Sequence, residues 1–73
     1  MFTVELQLEH RTARRGIVTG YRASRQPNVP AALAYARSVW QATEPGWRHD
    51  ATMRATLRDD AGRIVHAWQW RRV

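Results

Sequence analysis

The chain has 73 residues, twelve basic against six acidic, a formal net charge of +6, and no cysteine. That length gives one domain, near the lower limit at which a core suffices without staples. The missing cysteines exclude disulfides, thiolate metal sites and cysteine nucleophiles. No apolar run approaches the ~18 residues of a membrane span, and Met1-Phe2-Thr3-Val4-Glu5 does not read as a signal peptide, so a cytoplasmic protein without membrane contact is expected.

All the basic residues are arginines, and alanines are abundant, the pattern a GC-rich coding sequence produces. The sum of the charges is therefore a better guide than the choice of Arg over Lys. A field of this size on so small a surface draws nucleic acid or an acidic protein partner.

Residues 2 to 9 alternate, with Phe2, Val4, Leu6 and Leu8 on one face and Thr3, Glu5, Gln7 and Glu9 on the other: a half-buried strand. His10-Arg11-Thr12-Ala13-Arg14-Arg15-Gly16 follows as a basic loop. Ile17 to Ala23 then reads as a second strand, with Ile17, Thr19, Tyr21 and Ala23 inward, closing an antiparallel hairpin. Pro27-Asn28-Val29-Pro30 changes the period. Asn28 is a good N-cap and Pro30 is tolerated in a first turn, so a helix is expected from Val29 to Thr43, with Val29, Leu33, Ala36 and Trp40 on its apolar stripe. Glu44-Pro45-Gly46 stops it.

Ala51, Met53, Ala55 and Leu57 alternate with Thr52, Arg54, Thr56 and Arg58 as a third strand. Asp59-Asp60-Ala61-Gly62 is a turn, with glycine where a positive φ is needed. The fourth strand runs Arg63 to Arg71, with Ile64, His66, Trp68 and Trp70 inward because the other facing would expose two tryptophans.

The order is β-β-α-β-β in a single small α+β domain spanning residues 1–73. Two hairpins joined by a helix suggest a four-stranded mixed sheet, the helix on one face, with the first and last strands parallel and adjacent in the centre. This resembles the β-grasp arrangement of ubiquitin and of the immunoglobulin-binding domains of streptococcal protein G. The likeness lies in element order alone, and Arg72-Val73 lacks the diglycine of ubiquitin-like conjugation.

On that scaffold Arg11, Arg14 and Arg15 meet Arg71 and Arg72 at one pole, and these five are the expected nucleic-acid-binding residues. The open sheet face is expected to carry Arg22, Arg54, Arg58 and Arg71 among threonines. Tyr21, Trp68 and Trp70 turn away from it, which leaves no ring for base stacking. Glu5 and Glu9 share that face and can pair with its arginines. Trp47, after Pro45-Gly46, is the candidate contact aromatic, unless it folds back over the core.

His10, His49 and His66 lack the paired spacing of a zinc site. Ser24 and Ser38 lack a nucleophile's surroundings, so neither metal, cofactor nor catalysis is expected. Two functions follow from these readings. One is a small basic non-enzymatic nucleic-acid-binding or regulatory protein that holds the phosphate backbone of DNA or RNA through its arginine-rich loop and C-terminus. The other is a protein-interaction module, adaptor or inhibitor, using an exposed sheet edge or its basic pole. A homodimer through such an edge is compatible with both.

Overall fold

Asn28 opens the helix as its composition requires. Its side-chain oxygen accepts the amide of Ala31 at 2.8 Å and its carbonyl accepts that of Ala32 at 3.1 Å. The structure, a computed structural model, describes residues 1–12, 16–43 and 50–72. Its elements are β1 (Phe2–Thr12), β2 (Gly16–Gln26), α1 (Val29–Thr43), β3 (Ala51–Arg58) and β4 (Ile64–Arg72). The order β-β-α-β-β and the helix packed on one face of a four-stranded sheet are as the sequence indicates. No described helix is long and apolar enough to cross a membrane.

The sheet order is β2-β1-β3-β4, and every neighbouring pair is antiparallel. The expected parallel pair of β1 and β4 is therefore absent, and the sheet is antiparallel rather than mixed. β3 takes the place beside β1, with His10 opposite Ala51 and Thr3 opposite Arg58. The reason lies in side-chain size. The inward positions of β3 alternate small and large, Ala51, Met53, Ala55 and Leu57, all at most 2% exposed. With Ala32 and Ala36 fully buried on the helix, a close approach of helix to β3 is possible. The tryptophans of β4 would hold the helix off, and they sit at the sheet edge instead. α1 lies across β1, β2 and β3.

Val4, Leu6, Leu8, Met53, Leu57, Val39 and Trp40 complete the core, and Phe2, Val29, Tyr35, Trp68 and Trp70 pack around it. Most of the expected inward set is there. Ile17, Tyr21 and Ile64 are not: they are 61%, 60% and 58% exposed. Leu33 is also outside it, because the helix turns Ala32, Ala36, Val39 and Trp40 to the sheet and leaves Leu33 at the flank of that stripe. β1 pairs with β2 so that Leu8 faces Gly20 and Leu6 faces Arg22. This register puts Val18, Gly20, Arg22 and Ser24 on the helix side and Ile17, Thr19, Tyr21 and Ala23 on the open side. The facing of β2 is thus the reverse of the one expected, a one-residue slip that exchanges the two faces. Ile64 leaves the core because the β3–β4 ladder slips between Leu57 and Arg58, where Ile64 pairs with Arg58 and His66 with Leu57.

The turn between β3 and β4 forms on Asp59. Its carboxylate accepts the amides of Ala61 (2.9 Å) and Arg63 (3.0 Å) and the Arg63 Nε (3.1 Å), while Gly62 takes a φ of +82°. The Arg63 amide holds this carboxyl below its ordinary 3.8. A depressed carboxyl steadies the turn above that value and loses its contribution as pH falls through the lowered midpoint.

The radius of gyration is 12.9 Å, against about 11 Å for a compact chain of this length. The long β1–β2 ribbon accounts for the difference. Its eleven-residue strands extend roughly 36 Å, while the fifteen-residue helix covers about 22 Å.

Leu6 is fully buried at the centre of β1, opposite Ala55 on one side and Arg22 on the other. Leu6→Ala should cost about 2–5 kcal/mol, a large fraction of the stability of so small a domain. Chemical denaturation measures it, and an unchanged unfolding midpoint would contradict the central place given to β1.

Candidate nucleic-acid interface

The sheet has one face under the helix and one face that no described element covers, and this bare face collects arginines. Alternation outward from the buried positions assigns Arg11 of β1, Arg25 of β2, Arg54 and Arg58 of β3, and Arg71 of β4 to it. Glu5 and Glu9 share it. Arg58 donates to Glu5 Oε1 at 2.7 Å and to the carbonyl of Gly62 at 2.9 Å, so its charge is locally matched. Among the described residues no carboxylate lies within 4.0 Å of the guanidinium groups of Arg11, Arg25, Arg54 or Arg71.

Two of the five expected binding residues come together here. β1 and β4 are both antiparallel to β3, so they run the same way and end at the same pole, although β3 stands between them. Arg71 lies level with Thr52 and Glu9, and Arg11 lies one step beyond. With Glu9, His10, Ile17, Asp50 and Thr52 they line a shallow, open hollow of about 130 Å³. This is well below the 300–1,000 Å³ of enclosed ligand pockets. Its lining sets two guanidinium groups, Arg11 and Arg71, against two carboxylates, Glu9 and Asp50, so the hollow itself carries no net positive charge.

Arg11 is not a loop residue, since β1 continues to Thr12 and the Arg11 amide donates to the carbonyl of Asp50 at 2.9 Å. Arg72 pairs with Ala51, a helix-side position, and therefore turns from the bare face that carries Arg71. Arg14 and Arg15 lie outside the described residues, as do Trp47 and His49. Arg22, expected on the open face, is on the helix side. Arg25, not singled out in the sequence, replaces it. The signal for Arg25 was the β2 register, which its near-featureless alternation does not reveal.

Tyr21 changes the character of the bare face. Its ring is exposed there, and its hydroxyl donates to Glu5 Oε2 at 3.1 Å, so that Glu5 joins Tyr21 to Arg58 across three strands. A ring is thus available for stacking where none was expected. Trp68 and Trp70 remain on the helix side, as read from the sequence. His66 stacks on Trp68 with centroids 5.4 Å apart and planes 6° from parallel. Among the described residues no group of three or more histidines and carboxylates is placed to hold a metal ion.

The hydrogen bond to Glu5 raises the Tyr21 hydroxyl above its ordinary 10.0, with partial burial and the Glu5 charge adding and Arg58 opposing. A raised pKa means that this contact stabilises the fold fully below 10.0 and is lost as pH rises through the higher midpoint. Phenolate absorbance, taken as the difference between the wild type and Tyr21→Phe, should place the Tyr21 midpoint above 10.0. Glu5→Ala should bring it down, and an unmoved midpoint would remove Glu5 as the cause.

No protein-family model matches this chain, and no curated protein or solved structure matches it significantly, so the bare arginine face and its geometry are what a functional reading has to stand on.

Proposed function

We propose that this is a small non-enzymatic nucleic-acid-binding protein that lays a phosphate backbone across its bare sheet face and the arginine pole beside it. The observation that carries the reading is the set Arg11, Arg25, Arg54 and Arg71. These are four guanidinium groups on one uncovered face, with no carboxylate of the described residues within 4.0 Å. A solvated sheet of ordinary kind pairs its charges across strands, as Glu5 and Arg58 do here. Unmatched guanidinium groups are ready to replace the counterions of a phosphate chain.

The hydroxyls of Thr52 and Thr56 add donors between the arginines, and Tyr21 adds a ring at the margin. Arg14 and Arg15, which follow Arg11 closely in the sequence and lie outside the described residues, add to the charge available for such binding. Arg72 plays a lesser part than its neighbour, because it turns to the other side. The overall +6 supports rapid, long-range capture of a polyanion. A cytoplasmic setting, with nucleic acid within reach, goes with this reading.

An adaptor or inhibitor role is the competing reading, and the exposed β4 edge favours it. It expects a protein partner and no dependence on nucleic acid.

With about four or five phosphate contacts, log K for duplex DNA should fall with log salt at a slope of about −4, and for a single strand at about −3. Arg54→Ala together with Arg71→Ala should lower the duplex slope by about two units. Stability should stay nearly intact, because exposed and unpaired charges contribute little to folding. Gel shifts with both probes at several salt concentrations measure this. A folded sample that binds neither probe at low salt would transfer the function to the adaptor reading.

A further inference from the structure

The two edges of the sheet are not equivalent. β2 is guarded: Gly16 and Gly20 weaken it, and Arg22 on the helix side with Arg25 on the bare side charge both of its faces. β4 carries its two arginines, Arg71 and Arg72, only at its last two positions. From Ile64 to Trp70 it carries no arginine, lysine, proline or carboxylate, and its only disruption is the slip near Leu57 and Arg58 at one end. Its helix-side row is His66, Trp68 and Trp70; the helix makes its main contacts with the other three strands, and the two tryptophans are only partly buried against the core. Val65 is 40% exposed beside it. The result is a nine-residue strand, paired with β3 on one side, whose outer edge no described strand covers and along which an aromatic row runs.

We propose that β4 is the seam of a homodimer, pairing antiparallel with β4 of a second copy about a two-fold axis at Trp68, to give a continuous eight-stranded sheet. The occupant is argued from the strand itself. Antiparallel pairing centred on Trp68 sets His66 against Trp70 of the partner and Trp68 against its own copy. All these lie on the helix side, where aromatic pairs across strands are favourable. On the bare side Ala67 meets Gln69, a pair with no charge. The arginines Arg71 and Arg72 then lie opposite Val65 and Ile64, not opposite one another. They approach the Asp59–Asp60 turn, where the Asp60 side chain is 74% exposed. That turn already holds the Met1 amine at 3.2 Å and Arg63 at 3.1 Å, so the gain is a screened attraction, while a parallel pairing would stack arginine on arginine. The same pairing joins the two bare faces edge to edge, with Arg54 and Arg71 of both copies on one continuous surface.

Sedimentation equilibrium in nucleic-acid-free buffer tests the assembly apart from any binding function. The wild type should approach twice the 8.5 kDa of one chain as concentration rises. Ala67→Lys with Gln69→Lys places like charges opposite each other across the seam and should give a monomer. Ala67→Lys with Gln69→Glu places opposite charges there and should stay dimeric. A monomeric wild type, or two variants that behave alike, overturns the proposal.

A cross-link keeps the register testable if the first variant fails to fold, since the chain has no cysteine of its own. When singly substituted Ala67→Cys and Gln69→Cys proteins are mixed and oxidised mildly, the mixed disulfide should form in preference to either like pair, because only positions 67 and 69 face each other. Equal yields of the three products overturn the pairing.

Discussion

The pairing of β1 with β3 is the constraint on which the rest of this molecule depends. It brings Val4, Leu6 and Leu8 alongside Leu57, Ala55 and Met53, and these side chains are almost wholly withdrawn from water. Alanines on β3 and on α1 leave room for the helix to lie close to that pair. Once the two central strands are under the helix, the two hairpins have nowhere to put β2 and β4 except the edges. The bare face, the pole where β1 and β4 end together, and the aromatic edge all follow from that one choice of neighbour.

How much of this could be read in advance varied with how strongly each segment is constrained locally. The helix start was legible because Asn28 and Pro30 are local chemistry, while the Glu44-Pro45-Gly46 stop lies outside the described residues; β1 and β3 were legible because each has one strictly apolar face. The facing of β2 was not. Ile17 and Val18 are both apolar, Gly20 has no side chain, and an edge strand of this kind buries so little that neither facing is penalised. The neighbour of β1 was not legible either, because element order alone permits β3 or β4 there. Only the bulk of Trp68 and Trp70 against Ala51 and Ala55 decides it. The convergence of Arg11 with Arg71 was reached from a parallel pair that does not exist. It holds because two strands antiparallel to a common third run in the same direction.

On the bare face, the chemistry is divided by one carboxylate. Glu5 accepts from Tyr21 and from Arg58, which ties three strands together and cancels one of the five arginines. The other four have no carboxylate of the described residues within 4.0 Å. Glu5 is therefore a structural group in the middle of a surface otherwise free to interact, and it fixes a ring at the rim of that surface. At the pole, Asp50 and Glu9 set two carboxylates against Arg11 and Arg71 along the hollow.

The position of β1 has a further consequence for the order in which the molecule can be made. β1 leaves the ribosome well before β3, one of its two hydrogen-bonded partners, with Thr3 waiting for Arg58 and His10 for Ala51. A two-stranded ribbon is marginal alone, so Val4, Leu6 and Leu8 stay uncovered on the nascent hairpin until most of the chain has emerged. Contacts of such sequence separation close slowly compared with local ones. β3 must therefore have been made before this core can exist, and during that interval the exposed leucines of β1 are the segment most in need of protection from other chains.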